Sequence, residues 1–80
     1  MLTLKVISPE RVVFDGEVES VKVPGTLGEF EILNDHAPII STLERGLVTY
    51  TTKEGPTEIA ITGGFAAVKK NDISLCVELA

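Results

Sequence analysis

The chain has no tryptophan, one tyrosine, three phenylalanines, one cysteine and one histidine. So few aromatics leave the core to Val, Ile and Leu. The lone cysteine, Cys76, cannot close an internal disulfide, which fits a reducing compartment. Its setting, "SLCVEL", offers an acid where a reactive thiolate needs basic neighbours, so Cys76 reads as a small buried apolar side chain. A single His excludes the HExxH zinc pair, and there is no CxxC. Basic residues number seven against twelve acids, a net charge of -5. They are scattered, with only Lys69-Lys70 adjacent. That excludes the cation clusters that grip nucleic-acid phosphates, and it disfavours docking on anionic lipid headgroups. No stretch approaches the ~18 uninterrupted apolar residues of a membrane span, so direct membrane insertion is not expected. The N-terminus "MLTLKVISPE" alternates without the charged-then-apolar order of a secretory signal, which reads against export.

What is present is strand after strand. Eighty residues make one small domain, and a chain of this size buries only roughly 60% of the surface its unfolded form exposes. "LTLKVI" alternates apolar and polar residues. So do "RVVF" and "DGEVESVKV", with Asp15-Gly16 as turn chemistry between them. Val18 and Val21 fall on opposite phases, which predicts a bulge near Glu19-Ser20. Pro24-Gly25 marks a turn or strand end, "GEFEIL" a short strand, and "GLVTYTT" a strand rich in β-branched and aromatic residues. The loop signal Lys53 to Pro56 precedes the strand "TEIAIT". Gly63-Gly64 breaks the chain before "FAAVKK", and Asn71-Asp72 turns it into "ISLCVELA". No helical apolar stripe of about ten residues occurs; only Pro38 to Leu43 leaves room for a single helical turn. Turn signals every eight to twelve residues or so predict an all-β fold, a small antiparallel β-sandwich or flattened barrel, as one domain over 1–80. The expected inward set is Leu4, Val6, Val12, Phe14, Val21, Val23, Ile59, Ile61, Phe65, Val68, Ile73, Leu75 and Val77. A monomer is expected in isolation.

The least expected stretch is "GEFEILNDHAPII", where Glu29, Glu31, Asp35 and His36 crowd around Phe30, Ile32 and Leu33. Neighbours on an extended strand point to opposite faces, so Asp35 and His36 make a poor metal pair. Ser8, Ser41 and Ser74 lack the setting of a nucleophile elbow. Glu29 and Glu31 share one strand face, whereas a glycosidase holds its acids across a cleft. Gly63-Gly64 lacks the phosphate-loop pattern and reads as backbone necessity, for positive φ or close approach of another strand. Catalytic, metal and cofactor residues are therefore expected to be none. Pro38 holds Ala37 extended, and Asn34-Asp35 suits a tight turn. The stretch thus reads as strand, protruding turn and re-entry, with the apolar centre and charged rim of a protein-binding surface. Glu29 and Glu31 fit solvated acids as well as partner contacts. His36 fits an anchor as well as a residue bonding backbone across the turn.

"SPERVVFDGEVESVKVPGTLGEFEILNDHAPIISTLERG", followed by "IAITGGFAAVKKNDISLCVELA", resembles the epsilon subunit of F-type ATP synthase in its N-terminal domain. The matching features are Ser8 through Phe14, Gly16-Glu17-Val18, Val23-Pro24-Gly25, Gly28-Glu29, His36-Ala37-Pro38, Gly46, Gly63-Gly64-Phe65 and the closing strand. The resemblance implies about ten short strands and a non-catalytic rotor role. It implies a place at the foot of the central stalk, on the cytoplasmic face of the inner (plasma) membrane, as a peripheral part of the complex. The partners implied are the gamma subunit and the ring of c subunits, so that the domain couples ion transport to ATP synthesis. Glu29, with Phe30 and Glu31, falls where the family faces the c ring. Ser8, His36, Ala37, Pro38 and Ser41 fall where it approaches gamma or the ring.

Two departures stand out. Glu31 occupies a position where the family commonly has glycine, which adds a charge to the ring-facing loop. The chain also stops at Leu79-Ala80, where many members continue into a regulatory helical hairpin. That hairpin is expected to be absent, and the 80 residues are expected to brace and couple without binding ATP or imposing the hairpin's inhibition. The alternative is a lipoyl or biotinyl carrier domain, which presents a lysine at a hairpin tip. Lys53 and Lys69-Lys70 are so placed but lack the flanking residues of those acceptors.

Overall fold

Alternating side chains build the first strand, β1 (Leu2–Ile7). Leu2, Leu4 and Val6 are buried, and Thr3 and Lys5 between them are exposed. The structure, a computed structural model, describes residues 1–80 and contains no helix. The remaining strands are β2 (Val12–Val18), β3 (Ser20–Gly25), β4 (Gly28–Ile32), β5 (Ile39–Leu43), β6 (Gly46–Thr52), β7 (Gly55–Lys69) and β8 (Asp72–Leu79). They form one sheet in the order β2-β1-β8-β7-β5-β3-β4, with β6 pairing both β3 and β7. The sheet is not wholly antiparallel: β1 and β8 run parallel, with Leu4 opposite Ile73 and Val6 opposite Leu75.

There are eight strands where the resemblance implies about ten, and two expected breaks lie inside strands. Asp15-Gly16 is not a turn; it continues β2, with Lys5 opposite Asp15 and Leu4 opposite Gly16. Glycine is accommodated there because the Phe14 ring lies over it. A Cβ at residue 16 would sit 3.2 Å from the ring tip, and the ring itself packs on Tyr50 with centroids 4.3 Å apart. The real β1–β2 turn is Ser8 to Arg11, closed by the Ser8 N–H donating to the Arg11 carbonyl at 2.9 Å.

Gly63-Gly64 likewise does not end a strand. It is the corner of β7, a strand of fifteen residues. The N-terminal half of β7 pairs β6, from Thr52 opposite Gly55 to Gly46 opposite Ile61. The C-terminal half pairs β5, from Leu43 opposite Gly64 to Ile39 opposite Val68, while its other edge pairs β8. A strand that passes from one layer to another needs a bend, and a register shift between Ile61 and Gly63 supplies it. Gly64 has φ 151°, and a Cβ there would overlap the Cys76 carbonyl oxygen. β2, β1, β8, β5 and the second half of β7 thereby form one layer; β4, β3, β6 and the first half of β7 form the other. Sixteen buried residues from both layers make one core.

The core departs from the expected inward set at the shifts. Val6 pairs Phe14 but Ile7 pairs Val12, so Val13 is an extra residue and Val12 is turned out to solvent. The shift after Ile61 turns Phe65 outward in the same way, because a one-residue slip moves every following side chain to the other face. Phe14 and Ile59 are only partly buried. Leu2, Val18, Ile32, Leu43, Val48, Tyr50 and Ala66 complete the core instead. Near Glu19 the chain bends rather than bulges within a strand, and both Val18 and Val21 face inward. Pro38 leads into strand β5, not into a helical turn.

Candidate functional site

β3 and β4 form a hairpin with Gly25 opposite Gly28, which leaves Thr26 and Leu27 at its tip. Gly28 takes φ 133°, the left-handed backbone that only glycine adopts readily. The hairpin is pinned to β5. The Thr26 N–H donates to the Thr42 carbonyl at 3.1 Å, and the two threonine hydroxyls lie 2.8 Å apart. Leu27 is left fully exposed. Glu29 and Glu31 project from one face of β4, opposite Pro24 and Lys22. Phe30 does not join them. It packs against the core, and a Cβ at residue 25 would lie 2.9 Å from its ring.

Beyond β4 the chain loops out through residues 33–38. Asp35 adopts φ 62°, a conformation that Asp and Asn tolerate best after glycine. Its N–H donates to the Asn71 side-chain oxygen at 2.7 Å. His36 Nδ1 lies 2.7 Å from the Ala37 carbonyl oxygen, so with the proton on Nδ1 the ring donates within its own loop. The His36 ring stands 6.4 Å from that of Phe30. Phe30 is thus the shelf under the loop rather than part of the acidic face. Ser8 is 4% exposed. Its hydroxyl donates to the Arg11 carbonyl at 3.2 Å and accepts from the Arg11 N–H at 3.3 Å. Half-buried Ser41 donates to the Thr42 carbonyl at 3.1 Å.

A surface that the sequence reading missed lies between these corners. On the outside of the layer made by β5, β7, β8 and β1, Ile40 stands opposite Ala67, and Phe65 opposite Cys76, which also faces Ile7. Ile40 is 82% exposed and Phe65 48%. Two grooves run into this face. One of about 870 Å³ is lined by Pro38, Ile39, Ile40, Ala67 and Ser74 among others. The other, about 390 Å³, lies between Ser8-Pro9, Phe65 and Cys76. Phe65 and Ala67, two apart on β7, join them. Ser8 and Pro38, both expected as contacts from the resemblance, line the two grooves at opposite ends of one apolar face. The outside of the other layer differs. There Lys22 faces Thr49, Ser20 faces Thr51 and Thr49 faces Glu58, with Leu47 opposite Ala60 at one end.

The hydroxyls of Ser8 and Ser41 are each bonded to nearby backbone, and His36 sits on the loop 33–38. No group of three His, Cys, Asp or Glu side chains is placed to hold a metal ion. The arrangement offers shape, apolar area and an acidic edge, which are the means of protein recognition.

The chain resembles known proteins along its whole length. It is 42% identical over 77 residues to the ATP synthase epsilon chain of Leptospira borgpetersenii, covering 96% of this chain and 61% of that one. It is 40% identical over 76 residues to the epsilon chain of a Synechocystis species, covering 95% of this chain and 56% of that one. It thus spans about six-tenths of the length of these relatives. In fold it matches a chain of the Euglena gracilis mitochondrial ATP synthase, solved with OSCP, F1 and c-ring, at a TM-score of 0.88 and 20% identity, over 95% of this chain and 49% of that one. A chain from the central stalk and c-ring of the Tetrahymena thermophila mitochondrial ATP synthase matches at a TM-score of 0.79 and 18% identity, over 96% and 63%. The model of the ATP synthase delta/epsilon chain beta-sandwich domain matches residues 1–80 without remainder, and the chain belongs to that family.

Proposed function

We propose that this domain is a non-catalytic part of the rotor of an F-type ATP synthase, bracing the gamma subunit on the c ring at the foot of the central stalk. In this reading it couples ion transport to ATP synthesis from the cytoplasmic face of the membrane, as a peripheral component. The observation that carries it is the asymmetry of the two outer faces. One presents Ile40, Phe65, Ala67 and Cys76, the other mainly Thr, Lys and Glu. An exposed apolar patch rimmed by polar residues marks a protein contact. The apolar face is assigned to gamma, with Ser8, His36, Ala37, Pro38 and Ser41 at or under its margins. The hairpin carrying Leu27, Glu29 and Glu31 is assigned to the polar loops of the c ring, with Phe30 supporting it from within. Epsilon-depleted ATP synthase, given this chain, should regain ATP-driven proton pumping. Binding without any gain in coupling would contradict the proposal.

The acidic edge carries its own prediction. Glu29→Lys with Glu31→Lys should slow association with the depleted complex by about tenfold at low salt, with the gap narrowing as salt rises. The fold should survive, because exposed charges contribute little. The lysine introduced in place of Glu31 would face Lys22, a like-charge pair that costs only a few tenths of a kcal/mol or so. An association rate equal to that of the parent chain at every salt concentration removes the edge from the interface.

A further inference from the structure

We infer that Asn71 is a positioning residue for the docking face, holding the loop 33–38 in the shape that the partner meets. The inference rests on the proposed rotor contact. Asn71 lies at the β7–β8 turn, and it is bonded to two distant parts of the chain. Its side-chain oxygen accepts the Asp35 N–H at 2.7 Å. Its main-chain carbonyl accepts the Thr3 N–H at 2.8 Å and the Thr3 hydroxyl at 3.2 Å. The first bond reaches the loop; the others fix Asn71 to β1, a strand paired on both sides, with β2 and β8. Thr3 also bonds the Asp72 carboxylate, so the residue beside Asn71 is held as well.

The two turns that meet here both carry left-handed residues other than glycine, Asp35 at φ 62° and Lys70 at φ 55°. Such conformations persist only where the surroundings over-determine them. The loop between β4 and β5 has two supports on its length: the Asn71 bond and the Phe30 shelf under His36. Pro38, at its end, lines the larger groove, as do Asp72 and Ser74 of β8. Asn71 therefore ties the loop that ends at Pro38 to the β7–β8 turn beside that groove. A loop released from this bond samples other shapes, and the apparent affinity of the face falls with the fraction of time that the competent shape is present.

The contact needs an acceptor at residue 71, not an amide. Asn71→Asp keeps the acceptor; Asn71→Leu keeps the size and removes it. In the isolated chain the Asp35 amide should be protected from hydrogen exchange in the parent and in Asn71→Asp. In Asn71→Leu it should exchange about fivefold faster, the loss expected for one solvent-exposed hydrogen bond, while amides of β1 and β8 keep their protection. Docking on epsilon-depleted ATP synthase should weaken by a similar factor in Asn71→Leu and hold in Asn71→Asp at high salt, where the added charge is screened. An unprotected Asp35 amide in the parent overturns the clamp. A freed loop with unchanged docking overturns its role in positioning. Failure of the parent chain itself to dock overturns the rotor contact and this role with it, and the exchange data identify that case because the clamp is still measured.

Discussion

Gly64→Ala is expected to be strongly destabilising, removing about 4 kcal/mol or more of the chain's stability. Gly64 has φ 151°, and an added Cβ would overlap the Cys76 carbonyl oxygen and lie 2.8 Å from the Val77 Cα. Both are backbone atoms of β8, the strand paired along that edge, so no side-chain rotation relieves the contact. The backbone conformation alone costs about 1–3 kcal/mol for a residue with a side chain. Pushing β8 away also loosens its packing of Leu75 and Val77, so the total exceeds about 4 kcal/mol, near the upper range for a point change. A domain this small has a net stability on the order of 5–10 kcal/mol. Gly63→Ala is the control. Its nearest neighbour would be the Leu43 carbonyl oxygen at 3.6 Å, ordinary contact, and the change should stay within about 1 kcal/mol. Urea unfolding followed by circular dichroism reads both. Equal midpoints for the two variants would contradict the assignment of the β7 corner to Gly64.

Phe65→Asp combined with Ile40→Asp is expected to abolish docking on epsilon-depleted ATP synthase while leaving the fold in place. Both side chains point outward and are 48% and 82% exposed, so in the free chain a carboxylate at either position meets water. In the docked state it would be buried against an apolar surface without a partner. A buried aromatic anchor contributes about 2 kcal/mol or more at an interface, and an uncompensated buried charge adds to the loss. Together these predict at least about a hundredfold weaker binding. Thr49→Asp with Thr51→Asp places the same charges on the opposite face and should leave affinity within about twofold. Equal losses from both pairs would mean that charge, not the apolar face, decides docking.

Much of this architecture was legible in the residues. The alternation of Leu4 and Val6, and of Ile73, Leu75 and Val77, is the burial seen in β1 and β8. The pairing of those two strands in parallel is not written in either, because a period of two says which side faces in and nothing about direction. Strand boundaries were misread where glycine serves a long-range purpose. Gly16 makes room for the Phe14 ring and Gly64 for the backbone of β8, and both imitate turn signals. The apolar face was missed for the same reason. Phe65 reads as core by composition, and only the register shift after Ile61 turns it out. At the site, the acids at 29 and 31 were correctly paired on one face by spacing alone. The bond from Asp35 to Asn71 joins residues 36 apart, and no local pattern announces it.

Hydroxyl-radical footprinting of the free and the assembled chain tests the central claim most directly. Phe65 and Leu47 are matched probes, at 48% and 46% exposure on opposite outer faces. Assembly into epsilon-depleted ATP synthase should reduce labelling of Phe65 and Ile40 several-fold, and that of Leu27 at the hairpin tip, while Leu47 labels as in the free chain. Protection of Leu47 with Phe65 and Ile40 still open would show that the chain docks through its other face.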